Sequence, residues 1–303
     1  MGKDSNCEAL VIATFSRRML LRLENGKDQF ARVKGKRLRP VCGDRVISRP
    51  IDNEPELLIT DILPRSNELT RPDSRGRPEV LAANLSCLAI VVSAKPEPDW
   101  FITDRYLCAA ELIGAHAAVI FNKIDIEPPN EQARRVLGEY RDLGYAVFEC
   151  SAKQELQLEP ISDFLAAHTA ILVGQSGVGK SSMINRLLGE ARLKTASISD
   201  SSGEGKHTTV NSAMLFLPSG GKVIDSPGVR DFAPAIEQPE SVVHGFREIS
   251  LAGQHCRFAN CRHLQEPGCA VKDAVDDGQI SDRRYRSFRR LLTLTRQFSE
   301  VRY

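Results

Sequence analysis

The chain has 303 residues, of which 42% are hydrophobic and 26% are charged, a composition that is ordinary for a globular protein. Its formal net charge of +2 is too small to indicate a nucleic-acid partner by itself. No apolar run approaches the roughly 20 residues that span a bilayer, and the amino terminus lacks the apolar core of a signal peptide. We therefore expect a cytoplasmic protein of two or three domains with no membrane partner.

Positive charge is concentrated towards the two ends of the chain. Residues 17–49 contain eleven Lys or Arg against three acids, and the final stretch DRRYRSFRRLLTLTRQFSEVRY is also rich in Arg. Basic clusters of this kind attract phosphate groups, so both are candidate RNA contacts. In the final stretch, Phe288, Leu291, Leu292 and Leu294 also recur at helical spacing. A packed amphipathic helix with a solvated Arg face is therefore an equal alternative there.

The first 75 residues contain short apolar segments separated by turn signals. ALVIATF, MLLRLE, DRVISRP and LLITDIL are strand-like, and ENGK, VCGD and IDNEP lie between them. Regular short strands of this length predict an OB-like β-barrel over residues 1–75. The polar, Pro- and Arg-rich stretch RSNELTRPDSRGRPEV, at residues 65–80, predicts a linker.

From residue 85 the pattern changes to strands that alternate with helices. LSCLAIVVSA, HAAVIFN, GYAVFECS and TAILVG are apolar runs, and DRYLCAAELIGA and NEQARRVLGEYRDLG between them are amphipathic. AMLFLP and KVIDSPG are two further strand candidates. This alternation predicts an α/β domain with a parallel sheet over residues 76–235.

GQSGVGKS, at residues 174–181, matches the phosphate-binding motif G-x-x-x-x-G-K-[ST] and lies between an apparent strand and a helix. Its glycines let backbone amides surround phosphate oxygens, and the helix amino terminus adds a favourable dipole. Lys180 is expected to reach the β and γ phosphates, and Ser181 to bind Mg²⁺. The predicted nucleotide contacts in this loop are Gly174, Gln175, Ser176, Gly177, Val178, Gly179, Lys180, Ser181 and Ser182.

Two other loops predict that the base is guanine. FNKID ends one predicted strand, and its Asp125 can accept hydrogen bonds from N1 and the exocyclic amine of guanine. Adenine offers no donor at N1, so one carboxylate discriminates strongly. Asn122 is expected to contact the other base edge, and Lys123 to cover the site. The second base-contacting loop, from ECSAK at the end of the next strand, contains Ser151, Ala152 and Lys153.

The segment after the phosphate-binding loop has the composition of a GTPase switch. SSGEGKHTTV is polar, and either Thr208 or Thr209 could complete the Mg²⁺ shell with Ser181. DSPG, which follows the strand KVI, has the form D-x-x-G. Its Asp225 is expected to hold a Mg²⁺-bound water, and the Gly228 amide to contact the γ phosphate.

Hydrolysis needs a group that orients water, and the sequence offers an unusual one. Val229 stands where many GTPases carry a Gln after D-x-x-G, and no valine can position water. His207 is the best substitute, because a neutral imidazole can accept a proton from water. We therefore predict His207 and Lys180 as the catalytic residues. Basal turnover should be slow and should rise when a partner orders the loop.

The eight cysteines indicate free thiols or metal ligands rather than disulfides in a cytosolic chain. Three of them and a histidine fall within the short segment HCRFANCRHLQEPGC, and such a donor set suits one structural, tetrahedral Zn²⁺. His255 is a neighbouring alternative to His263. The predicted ligands are Cys256, Cys261, His263 and Cys269.

The order of the nucleotide motifs is NKID, SAK, GQSGVGKS, HTT and DSPG. In an ordinary GTP-binding domain the phosphate-binding loop comes first, and rotating this order restores that arrangement. The sequence therefore predicts a circularly permuted domain, which is tolerable because chain ends and loops lie at the surface.

With its permuted motifs, N-terminal β segment and cysteine-rich C-terminal extension, the chain resembles the RsgA family over essentially its whole length. The resemblance implies an OB-fold at residues 1–75, a permuted P-loop GTPase domain at 76–235 and a mainly helical zinc-binding domain at 236–303. It favours His263 over His255, because the family motif places its histidine two residues after the second cysteine. It also supports the catalytic role of His207.

For function, the resemblance implies GTP hydrolysis that is stimulated by the small (30S) ribosomal subunit during its late maturation. Contact with 16S rRNA, release that depends on GTP or GDP, and a monomeric state are the accompanying expectations. The alternative is an RNA- or ribosome-binding module that uses GTP as a static structural ligand. The intact set of Lys180, Ser181, Asp225 and Thr208 or Thr209 favours hydrolysis.

Overall fold

The computed structural model of the chain describes residues 6–16, 18–35, 37–73, 77–189, 210–226, 235–236 and 238–300. Among the predicted site residues, four lie outside these ranges: His207, Thr208, Thr209 and Gly228.

The first five strands form a closed barrel, which confirms the predicted OB-like fold. They pair in the order β1-β2-β3-β5-β4, and β4 returns to β1. Only the pair β3 and β5 is parallel. The sequence analysis did not identify β3, DQFARV, because its polar residues obscure the alternation. The five strands are β1 (Cys7–Phe15), β2 (Met19–Leu23), β3 (Asp28–Val33), β4 (Arg45–Pro50) and β5 (Leu57–Ile62).

A two-stranded hairpin occupies the stretch predicted as a linker, so that prediction is wrong. Strands β6 (Glu68–Pro72) and β7 (Pro78–Ala83) pair antiparallel, with Pro72 opposite Pro78 at the end of the ladder. A proline at that position costs little stability, because the ladder ends there and no further backbone N–H is needed for pairing. Leu69 is buried against the main core, which composition alone does not reveal. The bounds 1–75, 76–235 and 236–303 remain predictions.

The next strands build the predicted parallel sheet. They run in the order β10-β9-β8-β11-β13, all parallel, with β12 antiparallel beside β13. All seven residues of β8 are buried, as expected for a strand covered on both faces. The carboxyl ends of the parallel strands share one edge, where open α/β sheets bind ligands. The strands are β8 (Cys87–Ser93), β9 (His116–Asn122), β10 (Ala146–Glu149), β11 (Thr169–Val173), β12 (Val210–Phe216) and β13 (Lys222–Asp225).

Side-chain caps fix where the first two helices of this domain begin. The Asp99 carboxylate accepts hydrogen bonds from the backbone amides of Phe101 and Ile102, and the Asn130 amide oxygen accepts one from Ala133. Within the described residues, none of the helices combines the length and apolarity required to cross a membrane. The helices are α1 (Trp100–Leu112), α2 (Glu131–Asp142), α3 (Glu159–Ala166) and α4 (Lys180–Leu188).

The barrel and the parallel sheet are continuous through two strands. Ala13 and Thr14 of β1 pair with Ala213 and Ser212 of β12, so the whole forms one eleven-stranded sheet. The strand β12 is thus hydrogen-bonded on both sides.

The C-terminal region is mainly helical, as predicted. It contains a 3-10 helix (Pro239–Gly245), α5 (Arg247–Gly253), α6 (Ala270–Asp276) and α7 (Asp282–Glu300). The apolar face of α7 is packed in a core and three of its arginines are exposed, which agrees with the amphipathic alternative, whereas Arg284 of the same helix is buried. The buried residues are Phe288, Leu291 and Leu292, and the exposed ones are Arg286, Arg289 and Arg290.

A buried ionic cluster joins α7 to the helices α1 and α2 of the parallel-sheet domain. The fully buried carboxylate of Asp104, in α1, accepts hydrogen bonds from Tyr140 Oη at 2.7 Å, Arg284 at 2.9 Å and Arg283 at 2.7 Å. The side chain of Arg284 also donates to Glu248. Burial opposes the charge of Arg284, but Asp104 and Glu248 raise the pKa of Arg284 well above its usual value. The guanidinium therefore stays charged.

This cluster should contribute strongly to stability. We expect Arg284→Ala to lower the free energy of unfolding by about 3–5 kcal/mol, because it leaves Asp104 buried with one ion pair fewer. Arg286→Ala, at an exposed position on the same helix, should change it by no more than about 0.5 kcal/mol. Urea unfolding followed by the fluorescence of the single tryptophan, Trp100, measures both. Equal losses of unfolding free energy in the two variants would contradict the stabilising role of the ionic cluster.

Candidate nucleotide-binding site and metal centre

The phosphate-binding loop connects β11 to α4 and requires glycine where it begins. Gly174 has a φ of +132°, and a Cβ there would lie 2.1 Å from the carbonyl oxygen of Val91. The loop then encloses the ammonium of Lys180, which donates to the carbonyl oxygens of Gly174 at 2.6 Å and Gln175 at 2.7 Å. The positive charge predicted to bind phosphate is therefore held within the loop.

Asn122 connects three loops at the edge of the sheet. Its side-chain Nδ2 donates to the carbonyl oxygen of Val178 at 2.9 Å, and its Oδ1 accepts from the backbone amide of Ala152 at 3.0 Å. The phosphate-binding loop, the NKID loop and the SAK loop are thus brought together. These two hydrogen bonds differ from the base contact expected of Asn122. They hold the three loops together.

Asp125 lies beside the SAK loop with one oxygen engaged. Ser151 Oγ donates to Asp125 Oδ1 at 2.5 Å. None of the described residues donates a hydrogen bond to Asp125 Oδ2, so this oxygen is available for the predicted contact with guanine. Lys123 lies across the phosphate-binding loop, where its Nζ donates to the carbonyl oxygens of Lys95 and Gly177. The role of Lys123 as a cover for the base remains a prediction.

A cleft of about 760 Å³ lies between these loops. Lys153 and Ser182, both of which are predicted nucleotide contacts, line it. Sequence analysis did not identify Asn185 and Arg186, which line it from α4. They lie three and four residues after Ser182, and this helical spacing is the signal that could have identified them. Of the predicted phosphate-binding residues, Gly179 and Ser182 line this cleft, and the predicted base-contacting residues that line it are Asn122, Lys123, Asp125, Ala152 and Lys153.

The predicted Mg²⁺ residues lie at the same edge where the structure describes them. Ser181 is exposed in the first turn of α4, and Asp225 ends β13. The strand β12 begins at Val210, so the chain that follows Thr208 and Thr209 enters the sheet at this edge. Thr208 and Thr209 themselves lie outside the described residues, as do His207 and Gly228.

The four predicted metal ligands converge in the C-terminal region. Their ligand atoms, on Cys256, Cys261, His263 and Cys269, all lie within 4.8 Å of one another. The Sγ atoms of Cys256 and Cys269 are 4.0 Å apart. The corresponding edge of a tetrahedron with Zn–S bonds of about 2.3 Å is about 3.8 Å. The donor set and its size therefore fit a tetrahedral metal ion.

His263 presents one particular nitrogen to this group. Its Nδ1 lies 3.5 Å from the Sγ of Cys256 and 3.6 Å from that of Cys269. Burial lowers the pKa of His263, which favours the neutral imidazole that binds metals. Tyr285 Oη donates to the His263 carbonyl oxygen at 2.6 Å, and this bond connects the site to α7. His255, the alternative ligand, is not in the cluster.

Comparison with known proteins identifies the family. A family model described as RsgA GTPase matches residues 62–234. The chain belongs to the RsgA GTPase family. The relative named small ribosomal subunit biogenesis GTPase RsgA in Pseudomonas syringae pv. tomato is 40% identical over 290 residues, which cover 93% of this chain and 84% of that one. The relative of the same name in Alcanivorax borkumensis is 40% identical over 267 residues, covering 87% and 75%.

Solved structures agree with that assignment. YjeQ from Thermotoga maritima superposes with a TM-score of 0.74 at 28% identity, covering 96% of this chain and 99% of that one. YloQ, described as a circularly permuted GTPase, gives a TM-score of 0.71 at 25% identity, covering 97% and 96%. This RsgA family member is thus a GTPase with a circularly permuted domain, as the sequence predicted. The roles of individual residues remain predictions.

Gly174 offers a direct test of the phosphate-binding loop. We expect Gly174→Ala to weaken GTP binding and to lower the free energy of unfolding by about 1–3 kcal/mol, because of its positive φ and the contact with Val91. Gly138→Ala is the control, since it lies inside α2 with open space around it and should be stabilising. Isothermal titration and thermal unfolding measure both effects. Unchanged GTP binding by Gly174→Ala would contradict this account of the loop.

Proposed function

We propose that this RsgA family member hydrolyses GTP when the small (30S) ribosomal subunit stimulates it, late in the maturation of that subunit. The observation that carries the proposal is the convergence of GQSGVGKS, NKID and SAK around one cleft. The relatives whose names refer to small ribosomal subunit biogenesis share 40% identity with it over most of the chain, and this supports the partner.

In the proposed complex, Asp125 reads guanine and Lys123 covers the base, while Asn122 holds the base-contacting and phosphate-binding loops together and the SAK residues complete the base site. The loop from Gly174 to Ser182 surrounds the phosphates. Mg²⁺, held through Ser181, Thr209 or Thr208, and the water on Asp225, would neutralise charge on the β and γ phosphates. The Gly228 amide contacts the γ phosphate. The set of side chains at this edge is a suitable one for Mg²⁺, which prefers oxygen ligands.

Catalysis is proposed to depend on His207 and Lys180. Lys180 stabilises charge on the transferred phosphate, and the neutral imidazole of His207 orients or deprotonates water. Because Val229 cannot orient water, we propose that binding to the ribosomal subunit positions His207 beside the attacking water. This arrangement would make turnover slow until the partner is bound.

The proposed RNA partner is 16S rRNA within the subunit. The barrel loop between β3 and β4 exposes Lys34, Arg37 and Arg39, and such charges bind phosphates without regard to sequence. We further propose that the protein acts as a monomer in the cytoplasm and leaves the subunit according to whether GTP or GDP is bound.

Turnover with and without ribosomal subunits tests the proposal. We expect the small subunit to raise the rate of GTP hydrolysis by about a hundredfold or more, the range of a positioned general base, with the large subunit as control. In the same assay, His207→Ala should lose most of the stimulation. Tight GTP binding without any stimulation would instead support the static-ligand alternative. Full stimulation of His207→Ala would contradict the role of that residue.

The metal of the C-terminal group is proposed to be one structural Zn²⁺. Three thiolates with one imidazole are characteristic of zinc sites that are closed to substrate. A short polar segment of this kind gains much of its folding energy from the ion. The proposed role is therefore to hold the loop of residues 256–269 against α7.

Metal analysis with two histidine variants tests this assignment. We expect about one zinc per chain in the purified protein and loss of that zinc in His263→Ala, whereas His255→Ala should keep it. Chelation should make this region sensitive to protease. Absence of zinc from the unaltered protein, with a protease-resistant region after chelation, would contradict the proposal.

A further inference from the structure

The side chain of Gln175 points away from the phosphate-binding loop that contains it. Its Oε1 accepts a hydrogen bond from the backbone amide of Asp99, with 3.2 Å between the atoms. Asp99 precedes α1, and its carboxylate caps that helix through the amides of Phe101 and Ile102. The Asp99 backbone amide is thus fixed to the start of a helix and engaged by the loop.

The main chain of Gln175 takes part in the phosphate-binding loop. Its carbonyl oxygen accepts a hydrogen bond from Lys180 Nζ at 2.7 Å. Lys123 provides a second connection, because its Nζ bridges the carbonyl oxygens of Lys95, just before α1, and Gly177 in the loop. The loop is therefore bonded at two points to the chain that leads into α1.

The helix α1 is itself held in place by hydrogen bonds from the C-terminal helix α7. Asp104 lies five residues after Asp99 and is held by Arg283 and Arg284 of α7. Tyr140 of α2 completes its surroundings. A fully buried carboxylate with three donors leaves α1 little freedom to rotate or slide. The start of α1 is consequently a rigid support for Gln175.

We propose that Gln175 is a positioning residue that holds the phosphate-binding loop in its binding conformation by attachment to the start of α1, with α7 supporting that attachment through Asp104. The inference rests on the proposed role of the loop in binding phosphate. The Gln175 side chain contacts Asp99 rather than the base site, so its effect is specific to the phosphates.

Nucleotide binding by Gln175→Met tests the first part. This variant keeps the length of the side chain and loses the acceptor. The Kd for GDP should rise about three- to tenfold, the range of one partly buried hydrogen bond. Guanosine, measured by competition against a fluorescent GDP analogue, should bind with unchanged affinity. The KM for GTP should rise by the same factor as the Kd, with kcat within about twofold. Gln132→Met, exposed on α2, is the matched control.

The contribution of α7 is tested with Arg283→Met, which leaves Arg284 on Asp104. We expect a weaker affinity for GDP, and a combined effect with Gln175→Met that is smaller than the product of the two single effects. Arg286→Met, exposed on α7, should leave GDP affinity unchanged. Thermal unfolding checks that each variant is folded.

Three results would overturn the inference: unchanged GDP affinity in Gln175→Met, equal loss for guanosine and GDP, or independent effects of Gln175→Met and Arg283→Met. No ribosomal subunit is present in these measurements. Failure of GDP binding in the unaltered protein would instead contradict the proposed function. Missing stimulation by the subunit, with GDP bound normally, would leave the role of Gln175 in place.

Discussion

The antiparallel strand β12 joins the two halves of the architecture, because it is hydrogen-bonded to β13 on one side and to β1 of the barrel on the other. The guanidinium of Arg22, in the barrel, also lies 4.0 Å above the ring centre of Phe216 in β12. The barrel therefore covers an edge that would otherwise leave backbone groups unpaired. Since β12 begins at Val210, the sequence HTT, predicted to be part of a switch, comes directly before this junction in the chain.

The C-terminal domain is held by charge rather than by apolar contacts alone. Burying Asp104 and Arg284 removes both from water, and such pairs often contribute less stability than apolar residues of similar size would. What these ion pairs contribute is orientation. Arg284 donates hydrogen bonds to both Asp104 and Glu248, and these bonds restrict the rotation of α7 relative to α1. The arrangement therefore favours a defined orientation of the C-terminal helices over the largest possible stability.

Local chemistry explains which parts the sequence could predict. The buried parallel strands are continuous apolar runs, so the sheet was predictable. The loops that follow these strands carry the motifs NKID, SAK and GQSGVGKS, which are explained together only by nucleotide binding. Their order in the chain made the cleft and the permutation predictable. The hairpin of β6 and β7 was missed because Pro and Arg dominate its composition. The bonds from Gln175 to Asp99 and from Arg284 to Asp104 join residues 76 and 180 positions apart, and no local pattern encodes such pairs.

The permutation explains why these distant pairs matter. The chain that leaves the sheet at Asp225 bonds to β6, where the Ala235 amide donates to Thr70 at 3.0 Å, and then forms the 3-10 helix. That helix ends so close to α1 that a Cβ on Gly245 would lie 2.1 Å from Cys108 Sγ. The same α1 contacts the phosphate-binding loop at its start. The C-terminal region is thus connected to this edge of the sheet twice, along the chain through Asp225 and by packing against α1.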